Sequence, residues 1–481
     1  MDASQAVAVF LGPSLPRSRA AALLDATYYP PARMGDVYRL VASGVRIIVL
    51  IDGVFHGAAA IWHRELLEAM DHGICVIGAS SMGALRAAEL HSLGMVGVGE
   101  IFEWYRDGVI DGDDEVALLH SDADDGYRLL SQPLVDTRHR LMTAVQRGGL
   151  TPEQARDAIA HVKKVPFMWR THGELLASEV VARWPEDERR CLRSALDDAD
   201  LDLKARDAER ALEHASARLA RGDVRSPAVD RPAPSRYYRA TSTRKRGLRH
   251  PKGHLVSGEE VWDRICSDRA LVRECLAEAA TRFYLDSLAE HWAVQCPDEH
   301  VEAFGERWNE RHGVDELGPW LMANGLTVAE QRELLRQHAL VSWMLEQGPA
   351  AFGLDFSLFS RLPELWARER GKEGTRGDGC SDPARAARQC FLAAWARVRG
   401  ICCPEAVVER TEQELGGVDA RTTLGLGIEP WRGLVAELAC SDWIVHQQPY
   451  RFGYTGWAPI TAVLEELQIT GRAAQLVAEE R

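Results

Sequence analysis

No two cysteines in this chain are spaced CxxC, although it contains ten of them between Cys75 and Cys440. That absence excludes a zinc ribbon or a thioredoxin-like motif and leaves scattered free thiols as the expectation, with vicinal Cys402-Cys403 the one close pair. Positive charge is in short supply. Lys and Arg number 57 against 71 Asp and Glu, and the formal charge of −14 argues against nucleic-acid binding as the main task. No apolar run reaches the ~18 uncharged residues of a membrane span. The first residues, MDASQAVAVFLGPSLP, begin acidic and lack the basic start and long apolar core of a signal peptide, so a cytoplasmic chain is expected. The acids Asp113-Asp114-Glu115 read as a helix start that answers the macrodipole, not as a metal site. No metal and no cofactor are called for.

What is present is an ordinary globular composition, 46% apolar and 27% charged over 481 residues, enough for two to four domains. Ala6–Leu11, Val45–Ile51 and Ile74–Ile77 are short apolar runs separated by helical segments. Continuous Val/Ile runs of that kind predict an α/β domain with a mainly parallel sheet covered on both faces, a Rossmann-like three-layer arrangement. Residues 131–220 read as helical, so the first domain is expected over 1–222. Prolines and then the basic run Arg244-Lys245-Arg246…Arg249-His250-Pro251-Lys252 predict a linker over 223–256. Residues 257–481 read as a mostly α-helical region. A weak repeat divides it into two units, 257–370 and 383–481, with the Gly- and charge-rich stretch Gly371–Asp382 as an exposed loop between them. Leu288-Ala289-Glu290-His291-Trp292…Cys296-Pro297 echoes Trp395-Ala396-Arg397…Cys403-Pro404. The tryptophans fall at helical spacings and read as core.

The segment ICVIGASSMGALRAAEL over residues 74–90 carries the most chemistry. A strand, a turn of small residues and a helix in that order lift a hydroxyl onto the carboxyl edge of the sheet, beside the dipole end of a new helix. The turn departs from a strict GxSxG elbow, because Met82 stands where the last glycine would be. Ser80 and Ser81 are the candidate nucleophiles, and one of the two is expected to cap the helix instead. Two more loops reach the same edge, Gly12-Pro13-Ser14 and Asp52-Gly53. Asp52 suits the orienting of a base. His56, His120 or Lys204 could serve as that base, Lys204 only if desolvated, since its helix reads as presenting it to solvent. Arg86 is placed to pair with Glu89 three residues on or to hold a carboxylate at the turn. Gly12, Ser14, Gly53, Gly78, Met82, Gly83 and Glu89 complete the residues expected around a substrate.

The ordered blocks Val9-Phe10-Leu11-Gly12-Pro13-Ser14-Leu15, Ile51-Asp52-Gly53-Val54-Phe55, Gly78-Ala79-Ser80-Ser81-Met82-Gly83-Ala84-Leu85-Arg86, Asp113-Asp114-Glu115-Val116-Ala117 and Asp202…Lys204…Asp207-Ala208 resemble the TfuA-like core domain over roughly residues 5–220. The resemblance implies a cytoplasmic accessory protein for thioamide formation in ribosomally synthesised peptides. Its implied partners are a YcaO-type ATP-dependent cyclodehydratase-like enzyme, a ThiS-type sulfur carrier protein and the precursor peptide. It further implies that sulfide is supplied by hydrolysing the carrier's C-terminal thiocarboxylate, an acyl–sulfur bond cleavage that suits a serine at a helix N-terminus. The alternative is a non-catalytic adaptor that recruits carrier, YcaO enzyme or precursor peptide.

Overall fold

The structure, a computed structural model, describes residues 6–55, 58–227, 229–231, 236–363, 382–447 and 458–479. The chain divides into two compact units, Met1–Gly247 and Leu248–Arg481.

The first unit is built on a five-stranded, wholly parallel sheet. Its strands are β1 (Val7–Phe10), β2 (Thr27–Tyr29), β3 (Ile47–Leu50), β4 (Cys75–Ala79) and β5 (Val96–Val98), in the order β2-β1-β3-β4-β5. Registers such as Val7↔Ile47 and Ile47↔Cys75 align the apolar runs side by side, and every residue of β1, β3 and β4 is buried. Strands hidden on both faces need no polar alternation, which is why these three read as unbroken Val/Ile runs.

Alternate residues serve the two layers. Val7, Val9, Ile47, Val49, Cys75 and Ile77 join a core with Ala208, Ala211, Leu212 and Ala215 of a long helix, Leu203–Arg221. On the opposite face, Gly78 of β4 accommodates the helix Met82–Leu90, since a Cβ there would lie 2.2 Å from Gly83 O and 2.9 Å from Ala87 Cβ. In chain order the helices are α1 (Arg17–Leu23), α2 (Asp36–Leu40), α3 (His63–Asp71), α4 (Met82–Leu90), α5 (Glu100–Arg106), α6 (Leu134–Gln146), α7 (Pro152–Lys164), α8 (His172–Ala177), α9 (Glu179–Ala182), α10 (Glu186–Asp197), α11 (Leu203–Arg221) and α12 (Arg236–Lys245). Helices α6 to α10 gather around a separate core containing Leu141, Ala158, Leu175, Val181 and Leu192.

The basic stretch expected as a solvated linker is partly folded onto this unit. Arg246, just after α12, is buried, and its guanidinium donates to Glu68 Oε1 of α3 at 2.9 Å; Ser242 of α12 bonds the same carboxylate. The charge that reads as solvated in sequence is thus consumed by a buried acid.

The second unit is almost wholly helical. A long, medium, short and long helix follow one another at Arg269–His291, Asp298–Arg311, Leu317–Asn324 and Val328–Gln347. The same order of lengths recurs at Asp382–Val398, Glu405–Glu414, Gly417–Thr423 and Ile428–Asp442. In each set the second helix starts after a proline N-cap, Pro297 or Pro404. Trp308, Trp395, Trp431 and Trp443 are buried in its cores. Residues 371–381 of the loop expected between the repeats lie outside the described residues. The described cysteines are all free thiols, and among the described residues no helix is long and apolar enough to cross a membrane.

Candidate active site

The order β2-β1-β3-β4-β5 reverses direction between β1 and β3, and in doubly wound sheets that reversal opens a crevice beyond the strands' carboxyl ends. Asp52, two residues past β3, fills it. Its Oδ2 accepts from Gly12 N at 2.8 Å and Ser14 N at 3.1 Å, and its Oδ1 accepts from Ser14 Oγ at 2.6 Å. The carboxylate is 2% exposed, so the two loops expected to converge on this edge are tied together through one buried acid.

The serine turn lies one strand further along. Ser80 follows Ala79, the last residue of β4, with φ +68, and Ser81 N donates to Ala79 O at 2.8 Å. A hydrogen bond from i+2 to i around a residue of positive φ is a γ-turn, a rare geometry that costs a non-glycine residue about 1–3 kcal/mol. The strain is what lets a strand give way to α4 within two residues.

Neither hydroxyl caps the helix, contrary to the sequence expectation. Ser81 occupies the N-cap position without a side-chain cap bond, and Ser80 Oγ is buried with no hydrogen-bond partner. The reason is local. Gly83 N already donates to Ile51 O at 3.1 Å, so the neighbouring strand's carbonyl does a cap's work. Ser81 Oγ is engaged elsewhere, 3.0 Å from Lys204 Nζ.

Lys204 is the main reversal. Its helix reads in sequence as exposing it, yet it is 2% exposed in the first turn of α11. Besides Ser81, its amine donates to Val116 O at 3.1 Å. Burial pulls its pKa below the ordinary lysine value, and the nearby carboxylates Asp52, Asp136 and Asp202 work against that shift. Asp136 of α6 is the residue that sequence reasoning missed. Its Oδ1 accepts the backbone N–H of Lys204 at 3.1 Å, an orphan donor of the helix start. Desolvation and then the charge of Asp202 push its carboxyl up to about 7. The one signal available in sequence is a lone acid within the apolar stripe of α6.

The other expected residues fall into three groups. Gly53, Gly78, Met82 and Gly83 lie in the packing of α4. A Cβ on Gly83 would stand 1.8 Å from Leu50 O, and one on Gly53 would stand 2.7 Å from Met82 Cγ. Arg86 pairs with Glu89 at 2.7 Å and reaches Ile61 O at 3.3 Å, while His63 Nε2 meets the same Glu89 oxygen at 2.8 Å. Against the penalty of burial, the His63 and Arg86 hydrogen bonds hold Glu89 below the usual carboxylate range. His120 bonds Ser121 O at 2.7 Å through Nδ1 and packs edge-on to Tyr127, with centroids 5.4 Å apart. His56 lies outside the described residues.

The acids Asp113-Asp114-Glu115 form the short helical turn expected, and Asp114 and Glu115 are neutralised. Arg138 grips Glu115 with two hydrogen bonds of 2.8 and 2.7 Å, and Arg170 holds Asp114. Among the described residues no group of His, Cys, Asp and Glu is arranged to hold a metal ion.

Taken together, the fold and the edge define a doubly wound parallel α/β domain with a buried serine–lysine pair at the carboxyl ends of its strands. Residues 52–171 match the model of the family described as TfuA-like protein, so this segment is similar to that family. The matched segment begins on Asp52 and contains Ser80, Ser81, Val116 and Asp136; Ser14 and Lys204 lie outside it. No curated protein matches the chain.

Proposed function

We propose that the chain is an accessory protein of TfuA type that releases sulfide from a carrier-protein thiocarboxylate for a YcaO-dependent thioamidation. The observation that carries this reading is the hydrogen bond between Ser81 Oγ and a fully buried Lys204 amine. A lysine whose pKa is depressed by desolvation can take the serine proton, as in Ser–Lys hydrolases. Ser81 Oγ attacks the thiocarboxylate carbon and passes its proton to Lys204 Nζ. The tetrahedral oxyanion faces the positive start of α4. The C–S bond then breaks, Lys204 returns the proton, and hydrosulfide leaves. Water, activated by the same amine, frees the carboxylate, so the sum is thiocarboxylate and water to carboxylate, hydrosulfide and one proton released to solvent. Asp52 positions the loops around this pair without touching the substrate.

The test is to incubate the full chain with thiocarboxylated carrier and measure sulfide. Release that Ser81→Ala and Lys204→Ala both abolish supports the reading, and undiminished release from either variant removes the covalent mechanism. A second reading, a non-catalytic adaptor, is favoured by the burial of the serines, since Ser80 and Ser81 are 0% and 4% exposed. It requires thioamide formation to survive Ser81→Ala and to fail without residues 257–481.

A further inference from the structure

Beside Gly12 the carboxyl edge opens into a cavity of about 620 Å³, inside the ~300–1,000 Å³ span of small-ligand sites. Tyr28, Tyr29 and Pro30 at the end of β2 line it together with Tyr127, and so does Arg17 at the start of α1. Gly12 belongs both to this cavity and to the Asp52 network, to which it donates its N–H. Tyr127 is held at φ +56. Burial raises the pKa of its phenol, with the charge of Arg33 opposing the shift and that of Asp52 adding to it.

Two features decide what fits. In doubly wound folds the N–H groups of the first loop commonly cradle a phosphate. Here Gly12 N and Ser14 N are both taken by Asp52 Oδ2, so the protein's own carboxylate sits where a phosphate would. A nucleotide is thereby disfavoured. Second, on a chain of formal charge −14 the cavity lining contains Arg17 and no acidic side chain. Tyrosine rings and a proline offer flat apolar walls for amide planes, and a single cation suits one negative chain end.

We propose that this cavity receives the carboxyl-terminal segment of an extended peptide, its main chain against Tyr28, Tyr29 and Tyr127 and its anionic end drawn in by Arg17. Where that end is directed, past Gly12 toward Ser81, rests on the hydrolase reading; the binding itself does not. The probe is a fluorescent, N-capped tetraglycine, which has no side chains and reports only main chain and end charge, used as free acid and as amide. By fluorescence polarisation on the full chain, the acid is expected to bind at least about tenfold tighter than the amide. Arg17→Glu and Tyr127→Ala each weaken the acid by about tenfold or more with circular dichroism unchanged, and Tyr127→Phe retains binding. Arg17 is exposed, so its replacement leaves the fold intact. Binding that persists in Lys204→Ala separates the cavity from the chemistry: a wild-type chain that binds the acid yet releases no sulfide from thiocarboxylated carrier sinks the hydrolase reading alone. No binding of either peptide, equal binding of acid and amide, or indifference to both Arg17→Glu and Tyr127→Ala overturns the proposal. So does adenosine monophosphate displacing the acid at lower concentration than the peptide itself.

Discussion

At the scale of single residues, the site is a contest between burial and charge around Lys204. Its amine is desolvated beside Ser81 and surrounded at longer range by Asp52, Asp136 and Asp202. With Lys204 as the base, Lys204→Ala should slow sulfide release by about 10²–10⁴-fold, the usual contribution of a positioned proton carrier. Lys204→Arg should not restore it, because a guanidinium stays protonated. The wild-type rate should rise with pH around a midpoint below the ordinary lysine range, as Lys204 gives up its proton. A second expectation concerns Asp136. Its carboxyl is pushed to about 7, against about 3.9 for an unfolded aspartate. Between those values the native state keeps a proton that the unfolded state has lost. The stabilisation is therefore full below about pH 4 and is lost as pH rises through about 7. Asp136→Asn should flatten that slope, which urea denaturation at pH 5 and pH 7.5 would register; an unchanged slope removes Asp136 as its source. Asp52 and the serines are legible in sequence because each ends a strand on a small-residue turn. Lys204 is legible only as a residue, not as a buried one, since the pattern of a charged helix gives no sign that its first turn passes under the serine loop. Asp136 leaves still less trace, because its task is to bond a backbone N–H 68 positions away.

At the scale of elements, the turn works because α4 lies almost in contact with two strands. Gly83 N bonds Ile51 O at 3.1 Å, and the glycine leaves room for Leu50 O. Gly83→Ala would drive a Cβ into that backbone carbonyl, which no rotamer change relieves. A loss of about 1–3 kcal/mol in unfolding free energy is expected, with the serine turn displaced and sulfide release falling with it. By contrast, Gly173→Ala in α8 meets nothing closer than Thr171 Oγ1 at 3.8 Å and should be neutral or stabilising. Equal effects of the two would show that the packing of α4 is not what holds the turn. Strands β1, β3 and β4 are legible as apolar runs because both their faces are covered. Strands β2 and β5 are not. Tyr28 and Tyr29 are half-buried at the sheet's edge, beside a proline loop. Gly97 interrupts β5, where a Cβ would meet the Phe102 ring at 2.2 Å. Edge strands with mixed exposure give the sequence too few apolar residues to mark them.

At the scale of the whole molecule, the question is where the first unit ends. Composition puts the end of the first domain at residue 222 and a linker after it. The fold carries the unit on to Gly247, with α12 and Arg246 inside it. The physical difference is Glu68, a carboxylate 5% exposed, whose partners Ser242 and Arg246 both lie beyond residue 222. A chain of residues 1–247 keeps that pair. A chain of residues 1–222 leaves a buried acid without its cation, a loss that typically costs about 3–5 kcal/mol. The shorter chain should therefore unfold at markedly lower urea concentration than the longer one. Glu68→Gln in the shorter chain should recover part of the gap, because a neutral amide tolerates burial where an unpaired carboxylate does not. Equal midpoints for the two chains would mean that Arg246 and α12 rest on the first unit without stabilising it. In that case the basic stretch would regain the linker role its composition implies.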